Sequence, residues 1–70
     1  YEEALFTVDV MQALDPQEYR LLLERGVLCA RTRRHAEAVT ALESYIARAP
    51  DDRDRREAAL LLQDVRRQLN

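Results

Sequence analysis

Residues 35–50, HAEAVTALESYIARAP, repeat the pattern of residues 1–16, YEEALFTVDVMQALDP, at a spacing of 34. Glu3 meets Glu37, Ala4 meets Ala38, Ala13 meets Ala47 and Pro16 meets Pro50, four identities in sixteen positions. Leu5/Val39, Val8/Leu42 and Asp9/Glu43 are conservative pairs. Apolar residues in both stretches recur at steps of three and four, the spacing of one helix face. Ala4, Leu5, Val8, Met11 and Gln12 share a face of a helix over Glu2–Leu14. Ala38, Leu42, Tyr45 and Ala49, with Val39 and Ile46 beside them, form the stripe of another. Each helix closes at a proline, Asp15-Pro16 and Ala49-Pro50, because the residue before proline is pushed out of the helical region.

Two further helices fill the rest of the chain. Pro16-Gln17-Glu18 is expected to open one that runs to about Arg31, since proline tolerates the first turn and Glu18 complements the positive end of the helix dipole. Asp51, Asp52 and Asp54 supply an N-cap and first-turn acids for the last, whose stripe is Ala58, Leu61, Leu62, Val65 and Leu69. One Gly and two Pro leave little punctuation for a β fold. The expected class is all-α, four helices joined by short links.

Composition narrows the function. With 47% apolar and 34% charged residues of mixed sign, the chain is globular rather than disordered. Seventy residues make a single small domain. A net charge of -2 gives no general attraction to nucleic acid or an anionic membrane. No apolar run, Gly26–Ala30 included, exceeds five residues, far short of the roughly 20 that span a bilayer. All eleven basic residues are Arg, as codon bias in a GC-rich bacterial genome would give. A single Cys and no export signal point to the cytoplasm. Tyr1 in place of an initiating Met suggests part of a longer protein.

The 34-residue period resembles that of the tetratricopeptide repeat (TPR). With Pro50 as the closing proline, the repeat begins at Tyr19. Gly26 and Ala38 then fall on the small positions where the paired helices cross, and Leu42 takes the large apolar position one turn on. Leu22 stands for the usual Trp and Cys29 for the usual Tyr. Arg25 departs most, at a position where the family usually has Leu. The resemblance implies antiparallel helical hairpins in a right-handed superhelix of about two and a half repeats. Residues 1–16 would be the second helix of a partial repeat, 17–50 a full repeat and 51–70 a terminal capping helix. The strings Glu24-Arg25-Gly26-Val27-Leu28, Leu42-Glu43-Ser44-Tyr45-Ile46 and Ala49-Pro50 also resemble the C-terminal TPR segment of bacterial transglutaminase-like proteins. That resemblance implies an accessory region beside a papain-like catalytic domain lying upstream.

No catalytic, cofactor or metal constellation emerges from the residues. Cys29 and His35, six apart across a helix end, lack the third orienting group of a Cys-His nucleophile, and Cys29 falls on a packed face. Arg31, Arg33 and Arg34 complement the C-terminal end of their helix. Aromatic side chains for stacking nucleic acid are not interleaved with them.

Two surfaces suit protein partners. The second helix is apolar nearly all round, the mark of a buried helix. Its strip Arg20, Leu23, Val27, Ala30 and Arg31 is the one the TPR resemblance turns toward a concave groove, suited to an apolar peptide with acidic ends. On the first helix, Phe6, Val10 and Leu14 match Thr40, Ser44 and Arg48, so an apolar stripe stands where its counterpart is polar. That stripe is an expected association face, for a second copy in the isolated chain or for an upstream domain in a parent protein. The expected function is protein–protein interaction or scaffolding, without a cofactor and without nucleic acid or membrane as partner. The competing readings are the enzyme-accessory role and a purely oligomerising module.

Overall fold

Helices form where the apolar spacing puts them. In the computed structural model, which describes residues 2–69, α1 spans Glu2–Leu14, α2 Arg20–Arg31, α3 His35–Arg48 and α4 Asp52–Leu69. Tyr1 and Asn70, the outer ends of the first and last expected units, lie outside the described residues. There is no strand among them. Each helix packs on the next, α2–α3 and α3–α4 more extensively than α1–α2. The result is a slab whose backbone measures 32 × 28 × 13 Å.

The start of α2 differs from expectation. Pro16 does not open the helix. Asp15–Glu18 forms a turn instead, with the Glu18 N–H donating to the Asp15 carbonyl at 3.2 Å. Asp followed by Pro suits the first two positions of such a turn, and that local preference displaces the helix start to Arg20. Glu18 still serves the helix end. Its carboxylate accepts the Arg20 backbone N–H at 3.1 Å and the Arg20 guanidinium at 2.9 and 3.0 Å.

The other ends follow the residues there. After Arg31, Thr32 caps α2 and Arg33 takes a left-handed conformation, φ 63°. The Arg34 N–H then reaches the Cys29 carbonyl at 2.7 Å and the Arg33 N–H the Ala30 carbonyl at 3.3 Å. This is a Schellman closure, in which glycine is the usual left-handed residue. Ala49 ends α3 in the extended conformation that Pro50 requires (φ -65°, ψ 126°). Asp51 caps α4 by accepting the Arg53 N–H at 2.8 Å.

Gly26 sets the distance between α2 and α3. A Cβ there would stand 2.8 Å from Leu42 Cγ and Cδ2, so only hydrogen fits. Around this crossing Leu5, Cys29, Ala38, Leu42, Leu62 and Val65 form one core cluster. Tyr45, Ala49 and Ala58 form a second, with Tyr19 and Leu22 against it. The α3 stripe is buried as the spacing predicts, and Ala41 joins it.

Other expected faces are narrower. On α1 only Leu5 and Val8 are buried; Ala4 and Met11 are exposed and Gln12 is half-buried. On α2 only Leu21, Gly26 and Cys29 are buried, while Leu22, Leu23, Val27, Leu28 and Ala30 are half-buried. On α4 Leu69 is exposed. In each case the described residues provide a neighbour on fewer sides than the apolar pattern covers.

Candidate interaction surfaces

Arg25 ties α2 to α1 beside the buried Leu5 and Val8. It projects from α2 into the face that α1 offers, donating from Nε to Gln12 Oε1 at 2.7 Å and pairing with Asp9. Arg34 adds a second clamp, with its guanidinium 2.6 and 2.8 Å from the Glu2 carboxylate oxygens. Gln12 interrupts the apolar spacing, and it is the acceptor for Arg25. These polar ties hold the side of α1 that Leu5 and Val8 bury, and leave the opposite side uncovered. Phe6 is 68% exposed, Val10 42% and Leu14 80%. The stripe read from the register is therefore present on the surface, with Met11 also exposed beside it.

The α2 strip is divided by the fold. Arg20, at its start, is fully committed to Glu18. That contact holds the Glu18 carboxyl down at about 2, through the Arg20 side-chain hydrogen bonds first and the backbone N–H second. Leu23 and Ala30 pack against the core and remain half-exposed, as does Val27. Ala30 and Arg31 line a cleft of about 630 Å³ between the end of α2, the start of α3 and the second half of α4. Arg33, His35, Leu61, Asp64, Val65 and Gln68 complete its walls. Arg20, Leu23 and Val27 do not line it. His35 Nδ1 is buried there without a hydrogen-bond partner, and α3 has no side-chain N-cap. The lining is mixed, with Ala30, Leu61 and Val65 beside Arg31, Arg33, His35, Asp64 and Gln68.

Cys29 occupies the core with its side chain fully covered, its Sγ 3.8 Å from Glu37 Oε2. Burial, then the Glu37 charge, pushes its thiol above the ordinary range, the reverse of what a nucleophile needs. Asp51 acts as the cap of α4, and Asp52 pairs with Arg55. No group of three metal-binding side chains occurs among the described residues. No helix among them is long and apolar enough to cross a membrane.

Three features escaped the reading of the sequence. The Arg25–Asp9–Gln12 tie had a signal in Arg25 itself, which breaks the apolar pattern of the repeat. The cleft at Arg33 and His35 depends on how three helix ends converge, which spacing within one helix does not encode. Leu60, 65% exposed on α4, was within reach of the same 34-residue shift, which carries Gly26 onto it.

Comparison with curated proteins and with solved structures returns no match. A family model described as tetratricopeptide repeat matches residues 1–63. That span covers α1, the Gly26 crossing, α3 and most of α4, so the match, the 34-residue period and the hairpin of α2 on α3 agree, and the chain belongs to the tetratricopeptide-repeat family.

Proposed function

We propose that this chain is a protein-binding module that works through the uncovered side of α1 and the cleft at the end of α2. Repeats of this family mediate protein–protein interaction and are non-catalytic. The observation that carries the reading is the exposure of Phe6, Val10 and Leu14 at steps of four on one helix. Three large apolar side chains in line on a small domain mark an association site rather than scattered surface residues. In the isolated chain a second copy pairs across this stripe, in a two-fold arrangement that sets Phe6 near Leu14 of the other copy. In a larger protein a neighbouring domain takes the same place.

The second surface is the α2 strip of Arg20, Leu23, Val27, Ala30 and Arg31. Its Ala30–Arg31 end opens into the cleft, which Leu61 and Val65 also line. A peptide with an apolar segment and acidic ends suits it, the acidic ends lying toward the Arg residues that flank the strip. Leu23→Glu tests this surface by surface plasmon resonance against an immobilised partner of that composition. Lost binding with an intact helical circular-dichroism spectrum supports the strip, and unchanged affinity places the contact elsewhere.

Residues 51–70 serve as the terminal cap. The side of α4 that corresponds to the α3-facing side of α2 carries Arg56, Leu60 and Gln63 where α2 has Leu22, Gly26 and Cys29. The resemblance to the C-terminal segment of transglutaminase-like proteins supports a place at the end of a larger cytoplasmic bacterial protein. There the module would present that protein to partners.

A further inference from the structure

One charged side chain sits on the apolar stripe of α1. Glu3 precedes Phe6 by three residues and Val10 by seven, so it shares their face, and it is exposed. Among the acids of residues 1–16, Glu2 and Asp9 are paired within the chain, with Arg34 and Arg25. Glu3 has no ion pair among the described residues. A surface that covers Phe6 therefore meets an unpaired carboxylate beside it.

The two-fold axis that sets Phe6 level with Leu14 of the other copy also fixes where Glu3 goes. Three residues outward from Phe6 correspond to three beyond Leu14, so Glu3 comes level with Gln17, just past the end of α1. That place is negative by itself. The last carbonyls of α1 end there, and Asp15 makes no ion pair among the described residues. Glu18 is held by Arg20. The cation at hand is Arg48. It matches Leu14 in the 34-residue register and extends from the end of α3 toward α1, its Nη1 donating to the Pro16 carbonyl at 3.5 Å. Arg48 is exposed and has no ion pair among the described residues. A parallel pairing of the two stripes would instead set Glu3 beside Glu3, with no cation between them.

We propose that Glu3 of each copy pairs with Arg48 of the other, and that these two reciprocal ion pairs fix the antiparallel direction and the register of the pair. The occupant of the stripe is a second copy because one chain carries both halves of the contact, an acid at the start of the stripe and a base beyond its end. This rests on the reading of the Phe6 stripe as a self-association face, and adds the polar contact that decides how it closes.

Charge reversal tests it, read as mass by multi-angle light scattering at matched total concentrations. Glu3→Arg and Arg48→Glu each turn both cross-copy contacts into like charges, and each alone should weaken self-association about tenfold. In an equal mixture, one variant pairs with the other and both contacts again join opposite charges, so the mass should return to that of the unaltered chain. A chain with both changes should also associate as the unaltered one does. Both positions are exposed, and recovery on mixing cannot come from variants that fail to fold. Full association of either single variant, or a mixture no heavier than its components, overturns the proposal. If Phe6→Glu abolishes association while the charge reversals leave it unchanged, the stripe stands and the ion pairs fall. An unaltered chain that stays at one-chain mass overturns both.

Discussion

Arg33 holds a position that suits glycine better. At φ 63° an L side chain crowds its own backbone, and the Schellman closure of α2 keeps it there through the Arg34–Cys29 hydrogen bond. Arg33→Gly should therefore raise stability by about 0.5–1 kcal/mol, read as a higher thermal midpoint. A lower midpoint would mean that the Arg33 side chain contributes more at the cleft than the backbone loses. Ala38 presents the opposite case. Its side chain is fully covered where α2 crosses α3, so Ala38→Leu should overpack the crossing and cost about 1–3 kcal/mol. An unchanged melting midpoint would remove the crossing from the explanation of the fold. Gly26 and Ala38 were legible in the sequence because smallness at a fixed spacing has one geometric meaning. The left-handed Arg33 was not, because an arginine gives no sign of the conformation it is held in.

At the scale of helices, periodicity located all four, and local chemistry moved one boundary. The α2 start shifted from Pro16 to Arg20 because Asp15-Pro16 forms a turn before a helix can begin. Glu18 is the consequence. Its carboxyl is held at about 2 by Arg20, below its ordinary 4.5. A depressed carboxyl favours the folded state above the unfolded value, and that contribution disappears as pH falls from 4.5 toward 2. The Glu18 carboxyl resonance should accordingly titrate near 2 by NMR, and a midpoint near 4.5 would show that the cap does not persist in solution. Arg25 adds a polar tie to the attachment of α1 that the burial of Leu5 and Val8 provides. Removing the guanidinium with Arg25→Met should cost about 0.5–1 kcal/mol, the worth of a surface-linked ion pair with its hydrogen bond. Amide exchange should quicken in α1 while α3 and α4 keep their protection. Uniform loss of protection would mean that α1 and the hairpin unfold together.

Across the whole molecule, the repeat pattern described more apolar surface than the described residues cover. Buried Leu5 and Val8 were legible as core, and exposed Phe6, Val10 and Leu14 were legible as a stripe, because matching them to polar Thr40, Ser44 and Arg48 separates the two sides of the helix. The cleft near Arg33 and His35 was not, since it arises from three helix ends meeting. On our proposal the α1 stripe is a protein-binding surface that the isolated chain uses on itself. Multi-angle light scattering over a concentration series tests it directly. The mass should rise from the 8.2 kDa of one chain toward twice that value, and Phe6→Glu should hold it at one chain with the helical spectrum unchanged. A mass that stays at one chain up to the highest concentration for the unaltered sequence would contradict the claim.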